Sequence, residues 1–183
     1  MKKDNWIIKA FLMTFFIALI FSAISNVIVI FSFISTTAIT GLSIIPAILI
    51  LLLVIFIGIF FDIIGTAVLT ANEASFHAKS SKKIKGSKEG VYLVKNSSTI
   101  SSICNDVIGD ICGIVSGSVA AMLSILVSNK TNFSLVIVTL LISSLVSSLT
   151  VGGKAIGKKF AIRNSDNIIF MVAKVMYKFK FKK

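Results

Sequence analysis

Three aspartates, Asp62, Asp106 and Asp110, lie inside long apolar stretches of this 183-residue chain. A carboxylate surrounded by hydrocarbon is costly, so an acid found there marks an ion or proton pathway, or a polar lock between helices. In a dry site such acids tend to be neutral, but a divalent cation among them supplies the missing charge and reverses that preference. Occupancy and ionisation are then coupled. Magnesium suits such a site because it dehydrates reluctantly and needs only one or two carboxylates beside hydroxyl, carbonyl and retained water oxygens. Na+, Mn2+ and H+ fit the same residues.

The elements that must position these acids are membrane helices. Apolar residues make up 56% of the chain and the mean hydropathy is +0.99. Several apolar runs approach the ~20 residues that a helix needs to cross ~30 Å of hydrocarbon. A net charge of +12 would suggest nucleic acid in a soluble protein. Here the cations cluster at the ends of apolar segments, as cytoplasmic anchors do, so no nucleic-acid partner is expected. Four spans are predicted, at about 6–34, 44–66, 100–127 and 133–151. With both termini inside, the inner side holds 3, 6 and 9 basic residues and the outer side only Lys130, which satisfies the positive-inside rule. The first span exceeds the ~7–15 apolar residues of a signal-peptide core and reads as a retained anchor. The expected fold is an all-α integral membrane protein of the cytoplasmic membrane. Residues 1–43 form an additional N-terminal helix and outer loop, and residues 44–183 form the core.

Between the second and third spans, the polar interval 72–98 carries Lys79, Lys82, Lys83, Lys85, Lys88 and Lys95 against Glu73 and Glu89. It reads as two short amphipathic cytoplasmic helices broken near Gly86, with Val91, Tyr92 and Val94 facing lipid headgroups. In the basic tail, 152–183, Ile168, Ile169, Val172, Val175, Met176 and Phe179 recur at helical spacing, predicting a helix along the inner surface. Gly152 and Gly153 are expected to turn the chain onto that surface, where the lysines meet anionic lipid.

At 100° per residue, Ser102, Asp106, Gly109, Asp110, Gly113, Gly117, Ala120 and Ser124 share one face of the third span. The glycines make a small-xxx-small track for close helix approach, and the two acids lie within it. Asp62 shares a face of the second span with Gly58, Gly65, Thr66 and Glu73. On the fourth, Thr139, Ser143, Ser147 and Thr150 align, although such hydroxyls often bond back to their own helix. Other motifs carry less. Cys104 and Cys112 lack metal-ligand spacing and read as buried thiols. His77, four residues after Glu73, could pair with it as a metal ligand, but a lone surface His is more often solvated. The string GGKAIGKK, 152–159, nearly matches a phosphate loop, yet Lys159 replaces the required hydroxyl and an apolar helix precedes it. The sequons at Asn129 and Asn132 matter only in a secretory pathway. No Ser/His/Asp or Cys/His constellation supports an enzyme, and no organic cofactor is expected.

From about 60 to 177, the order of features resembles the transmembrane domain of the CNNM/CorC (cyclin M) family of magnesium transport proteins. FFDIIGTAVLTAN stands where that family has Phe-Phe-Ser-x-Ser-Glu-Thr-Ala-Leu, and SSICNDVIGDI where it has Ser-Thr-x-x-x-Gly-Asn-x-x-Val-Asn-Ile. SLTVGGKAIGKKFAIRN stands where it has Phe-Gly-Glu-x-x-Pro-Lys and a basic belt helix. The resemblance implies a metal site to which Asp62, Asp106 and, by a looser register, Thr150 correspond; from its place on the same face as Asp106, Asp110 is the candidate for a coupling Na+ or H+ and joins the metal set. None of these is identical to the family residue. It also implies Mg2+ as the carried ion and a homodimer. The chain ends at Lys183, so the paired cystathionine-synthase-type regulatory domains are not expected. The alternative function is a non-transporting scaffold or regulatory subunit whose acids are buried locks.

Overall fold

The computed structural model describes residues 44–180 and, before them, six helical positions: Leu12, Phe15, Phe16, Leu19, Ile20 and Ala23. The rest of the first predicted span, and of the segment 1–43, lies outside the described residues. All described elements are helices: α1 (Ile44–Thr70), α2 (Glu73–Ser81), α3 (Ser87–Lys95), α4 (Ser97–Ser102), a π-helical segment (Ile103–Gly109), α5 (Asp110–Thr131), α6 (Leu135–Arg163) and α7 (Ser165–Lys180). Three stretches among the described residues are long and apolar enough to cross a membrane: Ile44–Thr70, Ser97–Thr131 and Leu135–Arg163. At 1.5 Å per residue they measure roughly 40, 52 and 43 Å, so each is longer than the ~30 Å of hydrocarbon that a spanning helix must cross.

Two compact units emerge, one combining the chain up to Phe56 with Ile111–Leu149, the other combining Ile57–Asp110 with Thr150–Lys183. In the first, the buried apolar positions are Ala47, Leu51 and Ile55 of α1, Ile111, Cys112, Val115, Val119, Ala120 and Leu123 of α5, and Val138 and Val146 of α6. Ser116 and Ser124 are also buried, and each hydroxyl donates to a carbonyl of its own helix, Gly113 and Ala120, at 2.8 Å. Leu140, Leu141 and Leu145 are each more than 60% exposed. A helix so apolar on its outer faces is at home in hydrocarbon rather than in water.

The second unit is built around Phe76 of α2, fully buried with Ala67 and Val68 of α1, Leu93 and Val94 of α3, Ala161 of α6, and Ile169 and Ala173 of α7. Capping explains its corners. Asn72, extended at φ −82°, accepts from the Ala74 amide at 3.0 Å and starts α2. Its own amide donates to Asp166 at 2.8 Å, and the Ser165 hydroxyl donates to the Thr70 carbonyl at 3.3 Å, so the first turn of α7 ties down the end of α1. The break predicted near Gly86 is present. Gly86 adopts φ +87°, and a Cβ there would stand 3.2 Å from the Lys174 backbone. Left-handed conformation and close approach both require glycine at this point. Gly90 answers to packing alone, since a Cβ would lie 2.5 Å from Phe76 Cδ1.

Two placements differ from the sequence-based expectation. Val94 is buried in the core and Val91 packs against it, so among the three residues expected at headgroups only Tyr92 is exposed. Similarly Ile169 is fully buried and Ile168 and Val172 pack on the same core, whereas Val175, Met176 and Phe179 are exposed. The amphipathic pattern was read correctly; its apolar stripe is occupied by protein over the first turns of α7. Above it, Lys79 lies 5.0 Å and 4.8 Å from the Phe76 and Phe170 ring centroids, and Lys174 lies 4.5 Å from Phe170.

Gly152 and Gly153 do not turn the chain. Helix α6 continues through them to Arg163. Gly153 lies directly against Ile59, and a Cβ at Gly157 would meet Ile63 Cγ1 at 2.8 Å. With fully buried Ala161 these glycines form an i, i+4, i+8 series of small residues that lets α6 approach α1 closely. The consequence reaches the site, because Lys154 and Lys158 now ride on the same helix.

Candidate cation site

Asp62 occupies the inner face of α1, as predicted, together with buried Gly58 and Gly65. It is only 2% exposed. Eight residues separate it from the helix end at Thr70, which places it ~12 Å from that end rather than at the middle of the span. Its Oδ2 has no hydrogen-bond partner among the described residues. The nearest cation, Lys158 Nζ, stands 3.9 Å away, beyond hydrogen-bond range. Lys154 and Asp110 are the other charged groups in electrostatic reach.

One helical turn beyond Asp62, Gly65 faces the π-helical segment. The carboxamide of Asn105 fills the space where a side chain at 65 would begin. Asn105 Nδ2 donates to Ser101 Oγ at 3.2 Å. Its Oδ1 is buried and, like Asp62 Oδ2, has no partner. These are the two buried side-chain oxygens without partners among the described residues; one belongs to Asp62 and the other lies against Gly65, one turn or ~4.5 Å of rise further along α1. A buried polar atom left unpaired costs roughly 1–3 kcal/mol, so two together call for an explanation.

Asn105 lies one residue off the face predicted for the third span, and that face is already offset ahead of the π-helical segment, where Ser101 is buried and Ser102 exposed. A segment with i→i+5 hydrogen bonds takes more than 3.6 residues per turn, and it shifts the phase of everything across it. Extrapolating at 100° per residue puts Asp106 on the inner face. In the structure Asp106 and Ser102 are exposed, whereas Cys104 and Gly109 are buried and Asn105 is half-buried. Asp106 is therefore not brought together with Asp62. Asp110 is also exposed, although its charge reaches Asp62. Thr150 is half-buried at the start of the second unit's part of α6.

The glycine track is kept only in part. Gly113 and Gly117 have nothing within 4 Å of where a Cβ would stand, whereas Ala120 and Ser124 of the predicted face are buried, in a seam shared with Cys112, Val115, Ser116 and Val119. On α6 the hydroxyls of Ser143, Ser144 and Ser148 donate to their own helix at Leu140, Leu141 and Leu145. Cys104 and Cys112 are both buried and form no disulfide. His77 Nε2 does meet Glu73 Oε1 at 3.1 Å, with both side chains about half exposed. No third His, Cys, Asp or Glu joins them, and no group of three such residues occurs among the described residues. An oxygen site for a hard cation therefore has to draw on amide, hydroxyl, carbonyl and water oxygens around the one buried carboxylate.

No protein-family model, no curated protein and no solved structure matches this chain.

Proposed function

We propose that this protein moves a divalent cation, Mg2+ foremost, across the cytoplasmic membrane of its cell, through a site centred on Asp62 and Asn105. The observation that carries this reading is the pair of buried, partnerless oxygens on neighbouring helices. A hard cation offers such oxygens what no nearby donor does. Asp110 lies within electrostatic range to lower the cost of a double positive charge, and Thr150 stays in the metal set as a hydroxyl donor. Asp106, being exposed, has a minor part.

Lys158 gives the site a working cycle. Without metal, its ammonium partly balances Asp62 across 3.9 Å. When metal enters, the lysine, half exposed already, withdraws toward the polar side by virtue of its flexible stem. Site loading and lysine position are coupled in this way. Four crossings with both termini inside and a homodimer complete the proposal, with the open glycine face of α5 as one surface on which a second copy can pack.

A second reading is favoured by the same salt bridge. If Lys158 neutralises Asp62 permanently, the pair is a buried lock in a non-transporting scaffold. Mg2+ flux into proteoliposomes, followed with an entrapped indicator, separates the two. Transport predicts flux above protein-free liposomes that is saturable in Mg2+; a scaffold predicts flux equal to theirs.

A further inference from the structure

At the elbow between α2 and α3 the second unit holds an open cavity of about 840 Å3 that the cation site does not use. Lys83, Lys85 and Lys88 line it against a single acid, Glu89, with Ser80 and Ser81 supplying hydroxyls. We propose that this cavity binds the phosphate-bearing headgroup of an anionic membrane lipid. The inference rests on the reading of the chain as a membrane protein, but not on its carrying a cation.

Four observations support it. Lys83, Lys85 and Lys88 all line the one opening. Lys83 sits at φ 52° and Gly86 at φ 87°, so the elbow that presents them is a defined left-handed turn, and Gly86 is wedged against the backbone of Lys174. Three ammonium groups around one opening make a site for a multiply bonded phosphate, and the N-terminal end of α3, which opens beside them without a side-chain cap, adds the same sign of charge. The hollow is open on one side and has room for a group larger than an inorganic phosphate ion. Finally, the rim is apolar in the manner of a surface that meets acyl chains. A smaller hollow, about 420 Å3, adjoins at Lys88 and Glu89 and is lined by Tyr92 and Met176. Tyr92 is 60% exposed, and Ile84 beside the lysines is 40% exposed. An aromatic and two aliphatic side chains flanking a cationic hollow match the boundary between headgroups and hydrocarbon.

The probe is lipid retained by the detergent-purified protein, read by native mass spectrometry after mixing with equimolar phosphatidylglycerol and phosphatidylcholine. The wild type should retain phosphatidylglycerol at least about tenfold over phosphatidylcholine. The triple variant Lys83→Gln, Lys85→Gln, Lys88→Gln should lose that preference. A control triple, Lys95→Gln, Lys159→Gln, Lys178→Gln, removes equal charge elsewhere and should keep it. Glycerol 3-phosphate and inorganic phosphate at millimolar concentration form the competing arm. Displacement of the lipid by glycerol 3-phosphate alone supports headgroup recognition; displacement by inorganic phosphate as effectively would make the cavity a site for free anions and overturn the proposal. Equal loss in both triple variants would also overturn it, because the preference would then be bulk charge. Since lipid retention is read independently of Mg2+ flux, failure of the transport reading leaves this result intact.

Discussion

Replacing Asp62 by asparagine should weaken Mg2+ binding by at least about a hundredfold, roughly 2.7 kcal/mol, while leaving the metal-free protein folded. The substitution keeps the shape of a side chain that is 2% exposed and removes the one full negative charge buried at the site. Loss of a carboxylate costs a hard divalent cation its principal ligand. The metal-free fold should not suffer, because a buried charge with a partnerless oxygen is itself a burden that the amide relieves. Calorimetric titration and thermal unfolding in detergent give both quantities. Wild-type protein should gain thermal stability with Mg2+ in the manner of any ligand that binds only the native state; Asp62→Asn should show no such gain. Asp106→Asn is the internal contrast. With its side chain exposed on the far side of the π-helical segment, it should change Mg2+ affinity by less than about twofold. A large loss at Asp106 with little at Asp62 would place the site elsewhere.

Removal of Lys158 should act in the opposite direction. Two opposite charges about 4 Å apart attract by ~4 kcal/mol at an effective dielectric of 20, though a lysine that is half exposed is screened and delivers less. As a competitor for Asp62 its net effect should be on the order of 1.4 kcal/mol, so Lys158→Gln should tighten Mg2+ binding about tenfold. The same variant should be less stable without metal, since Asp62 loses its nearest counter-charge and keeps only the more distant Lys154, and Mg2+ should restore the difference. The Mg2+-dependent rise in melting temperature is therefore larger in the variant than in the wild type. A permanent lock predicts otherwise: destabilisation that Mg2+ does not repair. The two readings of the salt bridge thus separate on one variant.

Much of the second unit could be read from residue types. Gly86 marked the elbow between α2 and α3, the alternation of lysine with apolar residues marked both amphipathic helices, and Asp62 shared its face with Gly58 and Gly65 because α1 is a regular helix over that stretch. Two features escaped. The π-helical segment leaves no trace in hydropathy, and the fit of Asn105 and Cys104 against Gly65 is a tertiary contact that no periodicity shows. Beyond Ile103 the predicted face holds at Gly109, Ala120 and Ser124, which are buried, and fails at Asp106, Asp110 and Gly117, which are exposed, and Asn105 was not singled out. Gly152 and Gly153 misled for a related reason. Glycine weakens an isolated helix by ~1 kcal/mol, but close packing of Gly153 and Gly157 on Ile59 and Ile63 compensates, and no periodicity reveals which partner a glycine meets. The first predicted span, at 6–34, lies almost wholly outside the described residues.

The central claim is that Asp62 and Asn105 present their oxygens to one cation. Mn2+ shares the oxygen preference of Mg2+ and is paramagnetic, so it reports its own position. In protein labelled with 15N at asparagine and held in nanodiscs, the side-chain amide signal of Asn105, assigned by Asn105→Gln, should broaden beyond detection at substoichiometric Mn2+. Those of Asn164 and Asn167 should stay sharp, and excess Mg2+ should restore the Asn105 signal. In Asp62→Asn the Asn105 signal should be indifferent to Mn2+. An Asn105 amide that stays sharp in the wild type, or that broadens equally without the Asp62 carboxylate, would contradict the account.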